Sequence, residues 1–559
     1  MSRERLYQLL EAHGFQRVHA ETRPGRSVRS FPAHRLPLSE PVRRFLRQVA
    51  PAGLYGHQLE ALSRHLDGAD VGLTTRTASG KSLVFYAAAL EAVARNPRAR
   101  ILAIYPLKAL GREQEARWVA AFRAAGWPEE RVARIDGDVG HAGERMQRLR
   151  RASVLLATPD ILHAWLLPHV GERPVWEFIR ALRLVVVDEV HVYSGVFGSN
   201  AAFLFRRLEH LLALAGGRAS YVVASATLRE PLQHFQALFG RSFTLVDESF
   251  DTSGQHELEL LLVRPPGTQE LLSSVSAFLR DLVRHTEYRF IAFVDSRKQT
   301  ELLATIVKRA GGEGGARAGA EGTAAAVPAP ADPVPEEPEE EPLPGIAEDL
   351  ARLHVLPYRA GLEEEDRAVI QDRLSAGTLR GIISTSALEL GVDIPHLDLG
   401  ILLGVPRSTT SLQQRMGRVG RHGPGTVVVI NNGDLYSEMI FKQPDRILRL
   451  PLAEGALYLE NQRIQYIHAM CLARPGGEHD QARAQAGLPE TDAFDSPVNW
   501  PDGFVELCRR ERAGETPPGL QHMKMEAGDT PHTTFPLRDV DSQFRIQLVQ
   551  GWEREELGS

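Results

Sequence analysis

Residues 71–97, VGLTTRTASGKSLVFYAAALEAVARNP, set an apolar strand, a short loop and an apolar-periodic helix in immediate succession. Loops of this kind bind phosphate groups, because their backbone N–H groups and the N-terminus of the following helix point at the phosphate oxygens. We expect Lys81 to reach the β and γ phosphates and the Ser82 hydroxyl to bind Mg²⁺. Thr75 occupies the position of the usual first glycine. The predicted phosphate-binding residues are Thr77, Ala78, Ser79, Gly80, Lys81 and Ser82.

A pair of acids, Asp188 and Glu189, follows the apolar run LRLVVV directly and opens the sequence DEVH. Alone, two adjacent acids at a strand end could form a solvated turn. After a GKS loop they indicate the second half of a nucleotide site, in which Asp188 holds Mg²⁺ and Glu189 deprotonates the attacking water. The sequence SAT lies at another predicted strand end. Its Ser225 and Thr227 are expected to hydrogen-bond to the region ending at His191 and to couple nucleotide state to a second site.

The sequence SLQQRMGRVGR, which ends at Arg421, is the most specific pattern in the chain. On a helix, Gln414, Arg418 and Arg421 would share one face. Two arginines on that face can neutralise charge on a γ-phosphoryl group during its transfer, so these three residues join the predicted catalytic set. Gly417 and Gly420 would each cost about 1 kcal/mol relative to alanine in a helix interior. They therefore indicate a close backbone approach, which we expect to be to another domain.

Apolar runs of strand length alternate with helical patterns on both sides of a long segment rich in Gly, Ala, Pro and Glu. This alternation is typical of α/β domains with parallel sheets, in which ligands gather at the carboxyl ends of the strands. The segment itself, residues 311–345, has few apolar side chains to bury, so we predict a disordered acidic linker. The candidate strands are 71–75, 101–106, 182–188, 221–227, 289–295, 380–386 and 425–431.

Overall charge says little about partners. The formal net charge of the 559-residue chain is −6, but residues 311–345 hold eight acidic residues against one arginine, so the rest is close to neutral. A nucleic-acid partner would therefore need a local basic track. Two cysteines, charges throughout the first residues and the lack of a long uncharged apolar run fit the cytoplasm, which is the predicted location.

The motifs, taken in order, resemble those of the superfamily 2 helicases. They are Gln58 in LYGHQ, TRTASGKS, YPLKAL, ATPD, DEVH, SAT, FVDSRK, STSALELGVDI and QRMGRVGR. The resemblance implies two tandem RecA-like domains that bind ATP and Mg²⁺ between them, an adenine contact from Gln58, and a cleft contribution from Gly391 and Asp393. It also implies nucleic-acid contacts from Pro106, Lys108, Gly137, Asp138, Thr158, Pro159, Ser296, Arg297, Arg359, Gly361, Ser384 and Thr385.

A narrower resemblance is to the mitomycin-repair, MrfA-type helicases, which are related to RecQ-like family 4 enzymes. It rests on TASGKS, DEVHVYSGVFGSN with the following FRRL, STSALELGVDIP and QQRMGRVGR. It implies 3′→5′ DNA unwinding in repair. That group ends in a domain with four zinc-binding cysteines, whereas this chain has only Cys471 and Cys508. A separate zinc-domain subunit is one hypothesis, and a truncated or degenerate gene is the other. His468 and Cys471 are predicted to pack in a core.

The predicted organisation has four parts, all of an α/β protein with a mostly helical or irregular C-terminal extension. They are an N-terminal accessory segment (1–50), an ATP-binding RecA-like domain (51–262), a second RecA-like domain (263–433) that contains the linker, and a C-terminal accessory region (434–559).

The predicted function is that of an ATP-dependent helicase or translocase, acting on single-stranded or tailed duplex DNA in repair or genome defence. An RNA helicase or remodelling translocase is the first alternative, because the motor motifs discriminate poorly against the 2′-hydroxyl. A non-catalytic, nucleotide-dependent scaffold in a multi-subunit complex is the second.

Overall fold

The computed structural model describes most of the chain outside its acidic middle and its last residues. The described residues are 3–137, 142–226, 228–267, 271–294, 355–358, 369–370, 372–373, 376, 378–385, 397–450, 455–489, 491, 493–494 and 497–538. The predicted linker lies outside them, as do the predicted site residues Asp138, Thr227, Ser296, Arg297, Arg359, Gly361, Gly391 and Asp393.

Sixteen strands form within the described residues. They are β1 (Gln16–Arg23), β2 (Ser30–Phe31), β3 (Leu54–Tyr55), β4 (Val71–Leu73), β5 (Arg100–Ile104), β6 (Val132–Arg134), β7 (Val154–Ala157), β8 (Leu182–Val187), β9 (Ser220–Ala224), β10 (Thr244–Val246), β11 (Leu258–Arg264), β12 (Phe290–Phe293), β13 (Val355–Tyr358), β14 (Gly381–Ser384), β15 (Leu399–Leu403) and β16 (Gly425–Ile430). Each of the seven candidate strands of the sequence corresponds to one of these.

Helices cover both sheets and build the C-terminal region. The α-helices of four or more residues in the described part of the chain are Arg3–Ala12, Glu40–Val49, Gly56–Leu66, Ser82–Arg95, Lys108–Ala124, Ala142–Arg151, Arg173–Arg180, Gly195–Leu214, Pro231–Phe239, Leu271–His285, Thr409–Met416, Leu435–Lys442, Gln462–Ala473, Glu478–Ala486, Phe504–Arg512, Gln521–Ala527 and Pro531–Thr534. A 3₁₀ helix of six residues, Pro444–Arg449, follows Leu435–Lys442. A single helical turn, Pro159–Ile161, continues into a π-helical stretch, Leu162–Leu166. Within the described part of the chain, none of these helices has the length and apolar content that crossing a membrane requires.

The first lobe is built on a fully parallel seven-stranded sheet in the order β10-β4-β9-β8-β5-β7-β6. Strands buried on both faces read as continuous apolar runs, as VVV at the end of β8 does. This order brings the carboxyl ends of β4 and β8, which carry the GKS loop and the acid pair, to the same edge, with β9 between them.

The second lobe is built on another seven-stranded sheet, in the order β1-β11-β16-β15-β12-β14-β13. All its strands are parallel except β1, which pairs with β11 in antiparallel register. All six residues of β16 are buried, in agreement with its apolar sequence GTVVVI. The α/β prediction with two parallel-sheet lobes and a helical C-terminal region is therefore confirmed.

The two lobes are joined by two chain segments that run side by side. Residues 16–23 belong to the second sheet, whereas residues from Leu36 onward pack in the core of the first. The chain thus crosses between lobes near residues 24–29 and again near 251–257. Arg26 N–H donates to Gln255 O (2.7 Å) and Gln255 N–H to Arg26 O (3.0 Å). We call these two segments the paired crossover.

The C-terminal region docks on the first lobe through a buried polar network. Arg207, in the helix Gly195–Leu214, forms a fully buried ion pair with Glu478, and its Nε lies 2.9 Å from Oε2. The same guanidinium lies 2.9 Å from His468 Nδ1 and 3.0 Å from His163 Nδ1. His468 is thus buried in a hydrogen-bonded core, as predicted. Because all these groups are buried away from water, each needs its hydrogen-bond or ion-pair partner.

We expect Glu478→Gln to destabilise the protein strongly, because it leaves the Arg207 charge buried without a counter-charge. Loss of one partner of such a pair costs about 3–5 kcal/mol. Burial alone would raise the pKa of Glu478, but Arg207 and His532 outweigh it and lower that pKa to about 2. The stabilisation is therefore present at neutral pH and is lost as the pH falls through about 4.5 toward 2.

Urea unfolding at several pH values measures both effects. Glu177→Gln is the matched control, because Glu177 pairs with Arg173 on the surface (58% and 86% exposed) and should cost less than about 0.5 kcal/mol. Equal stability of the Glu478→Gln protein and the wild type would show that the network does not hold the C-terminal region.

Candidate functional site

The GKS loop curls around the lysine that the sequence singled out. Lys81 Nζ donates to Thr75 O (2.7 Å) and Arg76 O (2.9 Å), and the Thr75 and Ser79 hydroxyl oxygens are 2.8 Å apart. Burial lowers the pKa of Lys81, while Glu189 and Asp188 oppose that shift. The loop therefore holds a cation in place at the N-terminus of the helix Ser82–Arg95, which is where an anionic phosphate chain is favoured.

Gln58 braces the same loop. Its Oε1 accepts from Tyr55 N–H (2.9 Å) and its Nε2 donates to Gly80 O (2.9 Å). Both ends of the side-chain amide are thus bonded to backbone, and the side chain is buried. The adenine contact implied by the resemblance stays a prediction, whereas support of the phosphate loop follows from these two hydrogen bonds.

The acid pair faces the loop from the end of β8. Glu189 has φ of 52° and its N–H donates to Asp188 Oδ1 (2.9 Å). Within the described residues, Glu189 and Ala78 are the two non-glycine residues with positive φ, and both line the cleft between the two lobes. Backbone strain of this kind costs about 1–3 kcal/mol and persists only where the surroundings impose it. The turn therefore projects Glu189 into the cleft instead of along the strand.

The donor set fits a magnesium ion. Burial, followed by repulsion from Glu189, raises the pKa of the Asp188 carboxyl, and Lys81 opposes the shift. A buried carboxylate with a raised pKa gains most from a nearby cation, and Mg²⁺ prefers oxygen ligands such as this carboxylate and the Ser82 hydroxyl. Asp188 and Ser82 are the residues that would hold it.

The second lobe closes the other side of this cleft. A cavity of about 890 Å³ is lined by the phosphate loop, by Asp188 and Glu189, and by residues 413 and 416–422 of the second lobe, which include Arg418 and Arg421. This volume lies within the usual range for a small-molecule site. The structure thus brings the three groups predicted from separate stretches of sequence to one cavity.

The helical prediction for the QRMGRVGR segment is wrong in part. The helix Thr409–Met416 ends before the arginines, so Arg418 and Arg421 lie in the turn beyond it and do not share a helix face with Gln414. The turn is held by Arg421 Nε, which donates to Gly417 O (3.0 Å). Helix periodicity therefore does not explain why both arginines line the cavity.

The two glycines of this segment have different roles. A Cβ on Gly417 would lie 3.2 Å from the Thr77 Cβ of the phosphate loop, so this glycine does permit close approach between the lobes. Gly420 has φ of +74° and its neighbours, Gly423 and Gly425, belong to its own lobe. The expectation of an interdomain approach is therefore correct for Gly417 and wrong for Gly420.

His191 connects the cleft to both lobes. Ala226 N–H donates to His191 Nδ1 (3.3 Å), and His191 Nε2 lies 2.5 Å from the side-chain amide of Gln414. The atom of Gln414 that faces His191 is the amide nitrogen, Nε2. Burial lowers the pKa of His191, and Glu189 opposes that shift. The expected link from SAT runs through the Ala226 backbone, while Ser225 N–H donates to Leu73 O (2.9 Å).

The predicted nucleic-acid residues of the first lobe gather at neighbouring strand ends. Pro106, Gly137 and Thr158 follow β5, β6 and β7, which are adjacent in the sheet. Lys108 Nζ lies against Gly137, 2.8 Å from where a Cβ would stand. Thr158 Oγ1 caps the helix that Pro159 begins. Backbone groups and a lysine at such an edge can bind phosphates without recognising bases.

In the second lobe, Ser384 ends β14 and Thr385 follows it, and Ser384 Oγ donates to Thr385 O (3.0 Å). Their position at the carboxyl edge of the second sheet matches that of the first-lobe residues in the first sheet. The contacts that these residues make with a nucleic acid remain predictions.

One residue at the carboxyl edge of the first sheet was not predicted from the sequence. Arg538, from the C-terminal region, donates from Nε to Asp160 Oδ2 (3.0 Å) and from Nη2 to Pro106 O, and its guanidinium lies 4.0 Å from the centre of the Phe197 ring. The C-terminal region thus reaches the YPLKAL and ATPD loops. No local signal in the sequence could indicate this, because the partners are more than 300 positions away.

Comparisons with known proteins agree with the geometry. Residues 55–235 match the DEAD/DEAH box helicase family, and residues 343–423 match the helicase conserved C-terminal domain. The ATP-dependent helicase HRQ1 of Saccharomyces cerevisiae is 31% identical over 393 residues, which cover 68% of this chain and 33% of that protein. The uncharacterized ATP-dependent helicase YprA of Bacillus subtilis is 27% identical over 432 residues, covering 75% of this chain and 52% of that protein.

The fold is also that of a solved helicase. The crystal structure of the DUF1998 helicase MrfA bound to DNA superposes with a TM-score of 0.73 at 23% identity, covering 97% of this chain and 70% of that chain. The present chain spans about a third to a half of the curated relatives HRQ1 and YprA. By its two family matches, the chain carries a DEAD/DEAH box helicase domain followed by a helicase conserved C-terminal domain, and its relatives are ATP-dependent helicases.

Proposed function

We propose that this chain is an ATP-driven motor that moves along a DNA strand. The observation that carries the proposal is the single cavity that joins the Lys81 loop, the Asp188–Glu189 pair and the Arg418–Arg421 turn of the other lobe. A binding-only scaffold has no need for an acid and two arginines around a phosphate site.

Each residue has a defined task in this cavity. ATP and Mg²⁺, when bound, supply the reactive γ-phosphoryl group and charge neutralisation. Lys81 and the loop amides hold the phosphates, and Ser82 with Asp188 holds the metal ion. Glu189 takes the proton of the attacking water.

Arg418 and Arg421 supply positive charge from the second lobe. They serve hydrolysis only when the cleft is closed, which makes the distance between the lobes depend on nucleotide state. Alternating grips on a phosphate backbone by Lys108 and Thr158 in one lobe and Ser384 and Thr385 in the other would convert that change into a step.

DNA is the proposed substrate because a protein of the same fold, MrfA, has been solved bound to DNA. The sequence resemblance supports the proposed 3′→5′ direction, a role in repair and a separate zinc-domain subunit. The composition supports the proposed cytoplasmic location. Strand displacement on matched DNA and RNA duplexes with 3′ or 5′ overhangs tests substrate and direction together. Preference for RNA, or for 5′ overhangs, would contradict this proposal.

We expect Glu189→Gln to abolish nucleic-acid-stimulated ATP hydrolysis while nucleotide binding is retained. General-base catalysis contributes about 10²–10⁴-fold, so the rate constant should fall by at least about a hundredfold. Lys81→Ala should weaken nucleotide binding itself. Glu130→Gln is the control, because Glu130 lies exposed in the same lobe. Substantial turnover by the Glu189→Gln protein would refute the assigned role.

Gly417→Ala tests whether hydrolysis needs close contact between the lobes. The added methyl group would lie 3.0 Å from Gln413 O in its own helix and 3.2 Å from Thr77 Cβ of the other lobe. We expect a kcat lower by roughly tenfold, since small misplacements in a closed site are costly. The affinity for a fluorescent ATP analogue should stay the same. Gly423→Ala is the matched control, because a Cβ there meets no atom within 4 Å. Equal kcat values for the two variants would argue against closure at this point.

A further inference from the structure

Arg76 lies in the phosphate loop, yet its side chain points at the paired crossover. Nε donates to Asp251 Oδ2 (2.9 Å), Nη1 donates to the Gln255 side chain, and Nη2 lies 3.3 Å from both the carbonyl and hydroxyl oxygens of Ser253. One guanidinium therefore bonds three residues of the segment that leads from the first lobe into β11.

The environment of Asp251 keeps its carboxylate ionised, so that it remains the counter-charge of Arg76. Its side chain is fully buried, and Oδ1 accepts from Ser253 N–H (2.9 Å) and from the Ser253 hydroxyl (2.6 Å). Burial alone would raise the pKa of Asp251, but the adjacent His57 ring, hydrogen bonds from Ser253 and the Arg76 charge hold it well below its usual range. The ion pair is thus present throughout the physiological pH range.

The paired crossover consists of two chain segments that are hydrogen-bonded to each other. Gln255 and Arg26 exchange backbone hydrogen bonds, and Arg29 N–H donates to Thr252 O (2.9 Å). Any rotation of the second lobe about this junction must therefore move two chain segments together. A group that fixes one of them fixes both.

The main chain of Arg76 is tied to the catalytic lysine, because Arg76 O accepts from Lys81 Nζ (2.9 Å). The same residue thus meets the phosphate-binding ammonium through its carbonyl and the paired crossover through its side chain. A lysine that turns toward phosphate must release this carbonyl, and the loop then carries the guanidinium and its three partners with it.

We propose that Arg76 is a positioning residue that transmits occupancy of the phosphate site to the angle between the lobes. The proposal rests on the nucleotide site of the proposed function. It assigns Arg76 no contact with nucleotide. It accounts for a charged, multiply bonded side chain at a loop position where phosphate binding needs only backbone amides.

The test separates nucleotide binding from lobe closure in the full chain. Dyes are attached at Glu130→Cys in the first lobe and Leu435→Cys in the second, both exposed, whereas Cys471 and Cys508 are buried. Energy transfer with a non-hydrolysable ATP analogue reports closure. A fluorescent ATP analogue reports binding, and thermal unfolding checks that each variant folds.

The Arg76→Ala protein should bind nucleotide within about threefold of the wild type but lose most of the change in energy transfer. Its kcat should be about tenfold lower at unchanged KM for ATP, as expected when a coupling between sites is lost. Arg76→Lys should recover only part, because a compact ammonium lacks the planar, spread donors with which the guanidinium reaches Asp251, Ser253 and Gln255 together. Gln255→Ala should give a weaker effect, and adding it to Arg76→Ala should change nothing further.

Arg64→Ala is the matched control, since the Arg64 guanidinium contacts the first-lobe groups Glu60, Leu245 O and the Phe250 ring. It should close like the wild type. Wild-type closure in the Arg76→Ala protein, or a loss of nucleotide affinity beyond about threefold, would overturn the inference, because Arg76 would then act on nucleotide binding itself. A wild-type protein that binds no nucleotide would instead refute the proposed function.

Discussion

The partly buried ammonium of Lys81 is the group around which this structure is arranged. A cation that loses part of its hydration must be compensated by nearby dipoles and charges. The carbonyls of Thr75 and Arg76 and the carboxylates of Asp188 and Glu189 provide that compensation. These groups come from the ends of two strands that are not sequence neighbours, so the parallel sheet order is what makes the charge tolerable.

The remaining elements support this arrangement from three directions. Gln58 holds the phosphate loop from behind, the Arg418 turn faces it from the second lobe, and the C-terminal region packs on the helix that follows the acid pair. The sequence FRRL, in the helix Gly195–Leu214, contains the two arginines of that docking. Arg207 pairs with Glu478, and Arg206 Nε donates to Asn499 O (2.7 Å). The helix after DEVH is therefore both a wall of the motor domain and the base for its extension.

Local patterns predicted the fold well because parallel strands buried on both faces have unbroken apolar runs, and phosphate loops need particular residues at particular spacings. They failed where structure depends on distant partners. Helix periodicity placed Arg418 and Arg421 on a helix that ends at Met416, because the turn is set by Gly417 and Gly420. Likewise, the sequence predicted that residues 1–50 form an accessory segment, whereas in the structure β1 pairs with β11. The strand β11 in turn spans the predicted boundary between the two RecA-like domains at residues 262 and 263.

The position of β1 has a consequence for how the chain folds during synthesis. Its residues, Gln16–Arg23, leave the ribosome long before their partner strand, Leu258–Arg264, exists. At the usual elongation rates the delay is on the order of tens of seconds. Throughout that time, the apolar face of the preceding helix (Leu6, Leu9 and Leu10 in the finished protein) has no second sheet to cover it. This helix therefore stays uncovered while the first lobe is made, and the second lobe can be completed only afterwards.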